Sequence, residues 1–187
     1  PRDERPRWVD VRGARTPSAG FDEYVAARER YFETLRMDAE VRRLERDGAV
    51  RHDIITDPRQ LPAALDDYLD LEASGWKARM GTAIPQSPRE TAFMRQLHAE
   101  LGKAGRIRFD RLRIGNTTLA SSITYLNDSH AWYAKISFNE AYAKNSPGSQ
   151  LVLKVTEDFR VNTTIRYVDS CAPAGHPLMR KFWSDRF

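Results

Sequence analysis

The chain has 187 residues, of which 41% are hydrophobic, and carries a net charge of +4 from 30 basic and 26 acidic side chains. With the glycines, about 46% of the chain is apolar or glycine, the usual globular share, which excludes wholesale disorder and allows one ordinary domain. No apolar run approaches the roughly 20 residues of a membrane-spanning helix, and a single cysteine, Cys171, excludes an internal disulfide framework or a Cys-rich zinc module. That cysteine usage suits a reducing compartment, and we expect a cytoplasmic protein. Residues 1–50 hold 11 arginines against 11 acidic residues, so the basic excess, 19 against 15, lies beyond residue 50. So mild a bias does not point to DNA; it fits a solvated surface or a small anionic ligand. The start, Pro1 to Pro6, is charged and lacks the apolar stretch of a signal peptide. It also lacks an initiator methionine, so we expect a processed product or an excised fragment.

In chain order, residues 1–20 read as a loose lead-in with Pro6, Gly13, Pro17 and Gly20, and 21–187 as one domain. Residues 21–47 read as a densely charged helix, with Phe21, Tyr24, Val25, Phe32 and Leu35 at helical spacing and Gly48 as its stop. Val50 to Asp57 reads as a strand. Asp57-Pro58 then starts a helix whose apolar face is Leu61, Ala64, Leu65, Tyr68 and Leu69, ended by Gly75. A loop covers Trp76 to Gln86. Ser87-Pro88-Arg89-Glu90 is a capping box that opens a helix with Phe93, Met94, Leu97, Leu101 and Ala104 inward. The period then changes. Arg106–Ile114 reads as a strand whose alternation slips between Phe109 and Leu112, which suggests a bulge. Gly115-Asn116 signals a hairpin into Thr117–Leu126, and Asn127-Asp128-Ser129 a turn into His130–Phe138. That last strand places Trp132, Ala134, Ile136 and Phe138 on one face and Tyr133, Lys135 and Ser137 on the other. A helix from Ser146-Pro147 carries Leu151, Val152, Val155 and Phe159; a strand over 163–168 and a short helix from Pro177 follow. Strands joined mainly by hairpins with helices packed on them predict an α+β fold with a mixed sheet.

Three places carry chemistry. The turn Ser146, Pro147, Gly148 and Ser149 opens a helix with small residues and no acid in its first turn, and Lys144 stands just before it. Unpaired N–H groups and the helix dipole make such an end a candidate anion site, against the plain alternative of an ordinary capped helix. Lys135 lies on a strand beside Tyr133; in a cleft it would bind a carboxylate or assist proton transfer, and otherwise it is a solvated sheet residue. Trp76-Lys77 is either a ligand wall or a cover for the core. The histidines, His52, His98, His130 and His176, show no ligand spacing, so no metal is expected. Cys171 lacks an activating neighbour in sequence.

Leu71-Glu72-Ala73-Ser74-Gly75-Trp76-Lys77, Gly81-Thr82-Ala83-Ile84, Tyr133-Ala134-Lys135, Tyr142 with Ser146-Pro147-Gly148, and Asp169 leading to Trp183 together resemble one family. It is the GNAT-like acyltransferases of the BioF-like/CelD type, relatives of the FemABX peptidyltransferases. The resemblance runs from about Phe21 to Trp183. It implies a GNAT-like, mostly antiparallel mixed sheet flanked by helices, whose fourth and fifth strands splay to admit an acyl donor. The donor would be acetyl-CoA or another acyl-CoA, with its pyrophosphate on Lys144, Asn145, Ser146, Pro147, Gly148 and Ser149. The reaction it implies is attack by a small-molecule or peptide amine on the thioester. Glu140 is then the candidate base, because the family's usual Asp is replaced by Asn139, and Lys135 and Tyr142 complete the catalytic set. Trp76, Lys77, Tyr133 and Asp169 would meet the acceptor. Arg180 stands where a Lys commonly precedes the final Trp. The chain ends before the last strands of a full sheet, so it is expected to be the C-terminal half of a longer protein, or to pair with a companion domain or a second copy. Two alternatives accompany this reading. One is a FemABX-like transferase using charged tRNA, which the modest charge disfavours. The other is a non-catalytic GNAT-like interaction domain.

Overall fold

The computed structural model describes residues 8–9, 42–161, 164–165, 167–173 and 176–183. Its strands are β1 (Trp8–Val9), β2 (Val50–Ile55), β3 (Ile107–Ile114), β4 (Thr117–Asn127), β5 (His130–Phe138) and β6 (Tyr167–Asp169). They form one sheet in the order β1-β6-β5-β4-β3-β2. All neighbours are antiparallel except β5 and β6, which run parallel. The helices are α1 (Leu61–Ser74), α2 (Trp76–Arg79), α3 (Pro88–Lys103), α4 (Pro147–Val161) and α5 (Pro177–Phe182). The α+β class and the largely antiparallel sheet are as expected. Among the described residues, no helix is long and apolar enough to cross a membrane.

Several boundaries differ from the sequence reading. Trp8-Val9, in the supposed loose lead-in, adds a strand beside β6. Of the helix expected over 21–47, only residues 42–47 are described; 42–45 are helical and bury Leu44 completely. Asp57 caps no helix. Its carboxylate accepts the Arg59 N–H at 2.9 Å within a turn, and α1 begins at Leu61-Pro62. The loop 76–86 contains α2 and a 3-10 turn, Ile84–Gln86. The last strand starts at Tyr167 rather than 163. Ser87 does cap α3, its Oγ accepting from the Glu90 N–H at 3.3 Å.

The sheet separates two apolar layers. On one face α4 and α5 pack Leu151, Val152, Val155, Phe159, Phe182 and Trp183 over Leu112, Leu119, Ala120, Tyr133 and Val168. On the other, α1 and α3 pack Leu61, Leu65, Tyr68 and Met94 over Ile55, Phe109 and Ile123. This two-sided burial explains the apparent slip in β3. Phe109 and Leu112 sit on opposite faces because both faces are covered. The irregularity lies instead in β4. There Leu112 pairs with Ala120 and Arg113 with Thr118, leaving Leu119 as the extra residue. The stripes read for α1 and α4 are buried as expected. In α3 the stripe is rotated: Phe93 is 60% exposed, whereas Met94, His98 and Gly102 are buried. His98 occupies a core position because its Nε2 bonds Tyr125 Oη at 3.1 Å, a partner that periodicity alone does not reveal. A fully buried Leu or Phe of these layers contributes about 1.5–3 kcal/mol, so the two layers dominate what holds the helices in place.

Candidate functional site

The sheet opens where its two parallel strands part. β5 and β6 pair only at His130–Tyr167, Ala131–Val168 and Trp132–Asp169. β6 then ends at Asp169 while β5 continues to Phe138, so among the described residues the outer edge of Tyr133–Phe138 has no strand beside it. The result is a groove of about 670 Å³, the size of a small-molecule site. Its walls are the β5 edge, the start of α4, the segment Ser170–Pro173 with the start of α5, and the α1–α2 junction.

A second bulge decides what faces each side. Tyr133 pairs with Thr124 and Lys135 with Ile123, so Ala134 is the extra residue. Tyr133 therefore shares the α4 face with Ile136 and Phe138, all packed in or against the α4 core, while Lys135 stands over Ile123 on the α1–α3 face. The expected pairing of Tyr133 and Lys135 on one face is thus incorrect, because simple alternation fails at a bulge. Tyr133 is 1% exposed, and burial pushes its phenol well above the usual range. It forms part of the groove floor, edge-on to Trp183 with ring centroids 5.2 Å apart.

On the α4 side, Ser146 adopts a left-handed conformation (φ +49°) that turns the chain from a 3-10 segment, Glu140–Asn145, into α4. The first intrahelical bond runs from Gln150 N–H to Ser146 C=O, Pro147 has no N–H, and the Gly148 and Ser149 N–H groups have no acceptor within the helix. Ser146, Pro147, Gly148 and Ser149 all line the groove. A Cβ on Gly148 would meet Ile136 and Phe138 at an ordinary 3.6 Å, so it is not steric crowding that requires glycine there. Lys144 is exposed on the connector, and the Asn145 carbonyl is held by Gln150 Nε2 at 2.6 Å; neither lines the groove.

On the α1 side the structure assembles a group that was not anticipated. Glu72 is 1% exposed, on the same helical stripe as Leu61, Leu65 and Tyr68. Its Oε1 accepts from Lys77 Nζ at 2.6 Å and Tyr68 Oη at 3.0 Å, and its Oε2 from the Ile84 N–H at 2.8 Å. Burial raises its carboxyl pKa, but the bonds from Lys77 and Ile84 N–H outweigh this and leave it below the ordinary value. Lys77 Nζ also comes within 3.5 Å of the Ile136 carbonyl oxygen on the open β5 edge. A carboxylate recurring at a core position was the available signal in the sequence: 61, 65, 68, 72 is one face of a helix.

The remaining expected site residues lie elsewhere. Glu140 does not line the groove. It accepts the Trp76 N–H at 2.7 Å, capping α2, and pairs with Arg79 at 2.8 Å, so both oxygens are committed to joining the connector to α2. Tyr142 packs against the α4-side core, outside the groove. Asp169 is 2% exposed and turned inward, its Oδ1 accepting the Cys171 N–H at 2.8 Å; burial holds its pKa up. Trp76, 50% exposed, does line the groove, as does Cys171, whose thiol burial pushes up to about 11, so it stays protonated near neutrality.

This architecture recurs in known proteins. A conserved protein of unknown function from Bacteroides thetaiotaomicron is 14% identical, with a TM-score of 0.54 over 97% of this chain and 54% of its own. The C-terminal domain of a protein named as a lysylphosphatidylglycerol synthetase, from Agrobacterium fabrum, is 13% identical, with a TM-score of 0.50 over 89% of this chain and 45% of its own. These likenesses show a shared fold, and the chain spans about half the length of these two neighbours. Among curated proteins, none matches the chain significantly in sequence. The sequence of residues 34–176 matches the family model described as an acetyltransferase (GNAT) domain, about three quarters of the chain. The chain therefore belongs to the GNAT acetyltransferase-domain family.

Proposed function

We propose that this acyltransferase domain moves an acetyl or other acyl group from an acyl-CoA to an amine. The observation that carries the reading is the open β5 edge facing the N–H groups of Gly148 and Ser149 across one groove. Those N–H groups, at the positive end of the α4 dipole, suit the pyrophosphate of the carrier. The exposed Lys144 adds charge near the same end.

In an extended strand the N–H and C=O of one residue point to the same edge. The Ile136 carbonyl faces the groove, where Lys77 approaches it, so the Ile136 N–H faces it too. This donor is aimed where a thioester carbonyl would develop negative charge. The amine attacks that carbonyl, the tetrahedral intermediate collapses, and the CoA thiolate leaves and is protonated. Holding both reactants along one strand edge supplies a large part of the acceleration. With Glu140 committed to Arg79 and the Trp76 N–H, the amine proton passes to water in the groove mouth or to the leaving thiolate.

Acetyl-CoA titrated by calorimetry tests this directly. Binding is expected for the native chain and is weakened tenfold or more by Gly148→Asp, which sets a carboxylate at the helix end. Gly148→Ala, sterically admissible, is the folding control. No binding by the native chain, or equal binding by a folded Gly148→Asp, refutes the reading.

A further inference from the structure

Resting on the acyl-CoA reading, we infer that the amine acceptor carries a carboxylate close to its nitrogen, as an amino acid does, and that the Lys135 ammonium receives it. The bulge at Ala134 sends Lys135 to the α1–α3 face, across the strand from Gly148 and Ser149. It therefore stands on the side of the groove away from the phosphate-binding helix end. It lines the groove and is half-buried, with no hydrogen bond or ion pair among the described residues.

Among the described residues, the other charges that line the groove on that side, Glu72 and Lys77, are already matched. Glu72, the one carboxylate lining the groove there, is taken up by Lys77, Tyr68 and the Ile84 N–H. Glu140 and Arg79 neutralise each other at the rim. On α3, His98 feels the Lys135 charge: its pKa is pushed down to about 4 by burial and by Lys135, so it is neutral and adds no second positive charge beside it. A half-buried ammonium without an anion is unfavourable, and a ligand carboxylate removes that penalty. One unpaired lysine matches one monoanion; a phosphate dianion would remain half-neutralised. In the same groove, Trp76 presents an exposed ring as a wall for the rest of the acceptor.

The test compares three sets of acceptors with acetyl-CoA: L-amino acids, their carboxamides and their decarboxylated amines. The carboxamides are less basic at nitrogen than the amino acids and the decarboxylated amines more so; a preference over both sets cannot come from amine basicity. The expected kcat/KM for at least one amino acid exceeds those of both its analogues by roughly ten- to hundredfold, the worth of one charge-assisted hydrogen bond. Lys135→Met should bring those ratios close to one, chiefly through KM. Lys135→Arg should keep most of the preference, and the acetyl-CoA dissociation constant should stay within about twofold. Should Lys135→Met fail to fold, the native ratios with Lys135→Arg decide. Equal use of the three sets, or acceptance of phosphorylated amines alone, by a chain that binds acetyl-CoA overturns this inference and leaves the acyltransferase reading standing. No acetyl-CoA binding overturns both.

Discussion

Glu72→Gln, read against Lys77→Met in a double-mutant cycle, isolates the buried pair beneath the groove. Gln keeps the shape and one acceptor oxygen for the Ile84 N–H, but replaces the oxygen facing Lys77 and Tyr68 or turns an amide N–H₂ toward them. Breaking a fully buried ion pair costs about 3–5 kcal/mol. The Lys77 side chain is 21% exposed and can swing partly toward the groove, so we expect a smaller loss, about 2–3 kcal/mol, for Glu72→Gln. Urea unfolding should show this as a lower midpoint at an unchanged slope. Lys77→Met should cost less. The double mutant should be less destabilised than the sum, with a coupling of about 1–2 kcal/mol. A pH signature accompanies it. The folded carboxyl sits below its ordinary value, so the unfolded chain binds more protons as pH falls. The stabilisation is present above the unfolded pKa and is lost as pH drops through the folded one. Native stability should therefore fall in acid more steeply than that of Glu72→Gln. Strict additivity of the two substitutions, with parallel pH curves, would refute the idea that this pair holds the α1–α2 junction against β5.

Three further outcomes follow from particular contacts. Asp169 is buried with one N–H partner and its pKa is raised, so the carboxylate opposes folding at pH above that raised value. Asp169→Asn should raise the melting temperature near neutral pH, a gain that disappears as the native carboxyl becomes protonated in acid. Trp183 Nε1 donates to Thr156 Oγ1 at 2.8 Å while its ring packs on Tyr133; Trp183→Phe should cost about 1–3 kcal/mol in urea midpoint, with Thr156→Val non-additive to it. Gly48 holds φ at +143° with Ile114 Cγ2 only 2.8 Å from where a Cβ would stand, so Gly48→Ala should cost about 1–3 kcal/mol by thermal unfolding.

Much of the fold was legible because it depends on local pattern. The stripes Leu61–Leu69 and Leu151–Phe159, the Ser87 cap and the two hairpins between β3, β4 and β5 were readable from apolar spacing and turn residues, and all stand in the structure. The turn Ser146–Ser149 was likewise visible, since small residues and an absent acid at a helix start are local features. Phe93 was misplaced because a polar His98, bonded to a tyrosine on another element, occupies the stripe that an apolar residue would ordinarily mark.

The partners of charged groups were not legible. Lys77 and Glu72 are close in the chain, but the value of their contact depends on Ile136 arriving from β5. Glu140 looked free in the sequence and is held by Arg79 and the Trp76 N–H, 61 and 64 positions away. Nor does alternation announce a bulge: the extra Ala134 separates Tyr133 from Lys135 and divides the groove into two chemically different sides. Periodicity and capping are properties of neighbouring residues, so the chain alone specifies the apolar stripes of α1 and α4, the hairpins and the helix end that faces the groove, but not the short helix α2. The parting of β5 from β6, and which carboxylates are already taken, depend on segments brought together across the sheet, where hydrogen bonding and desolvation act over distances that no short window of sequence spans.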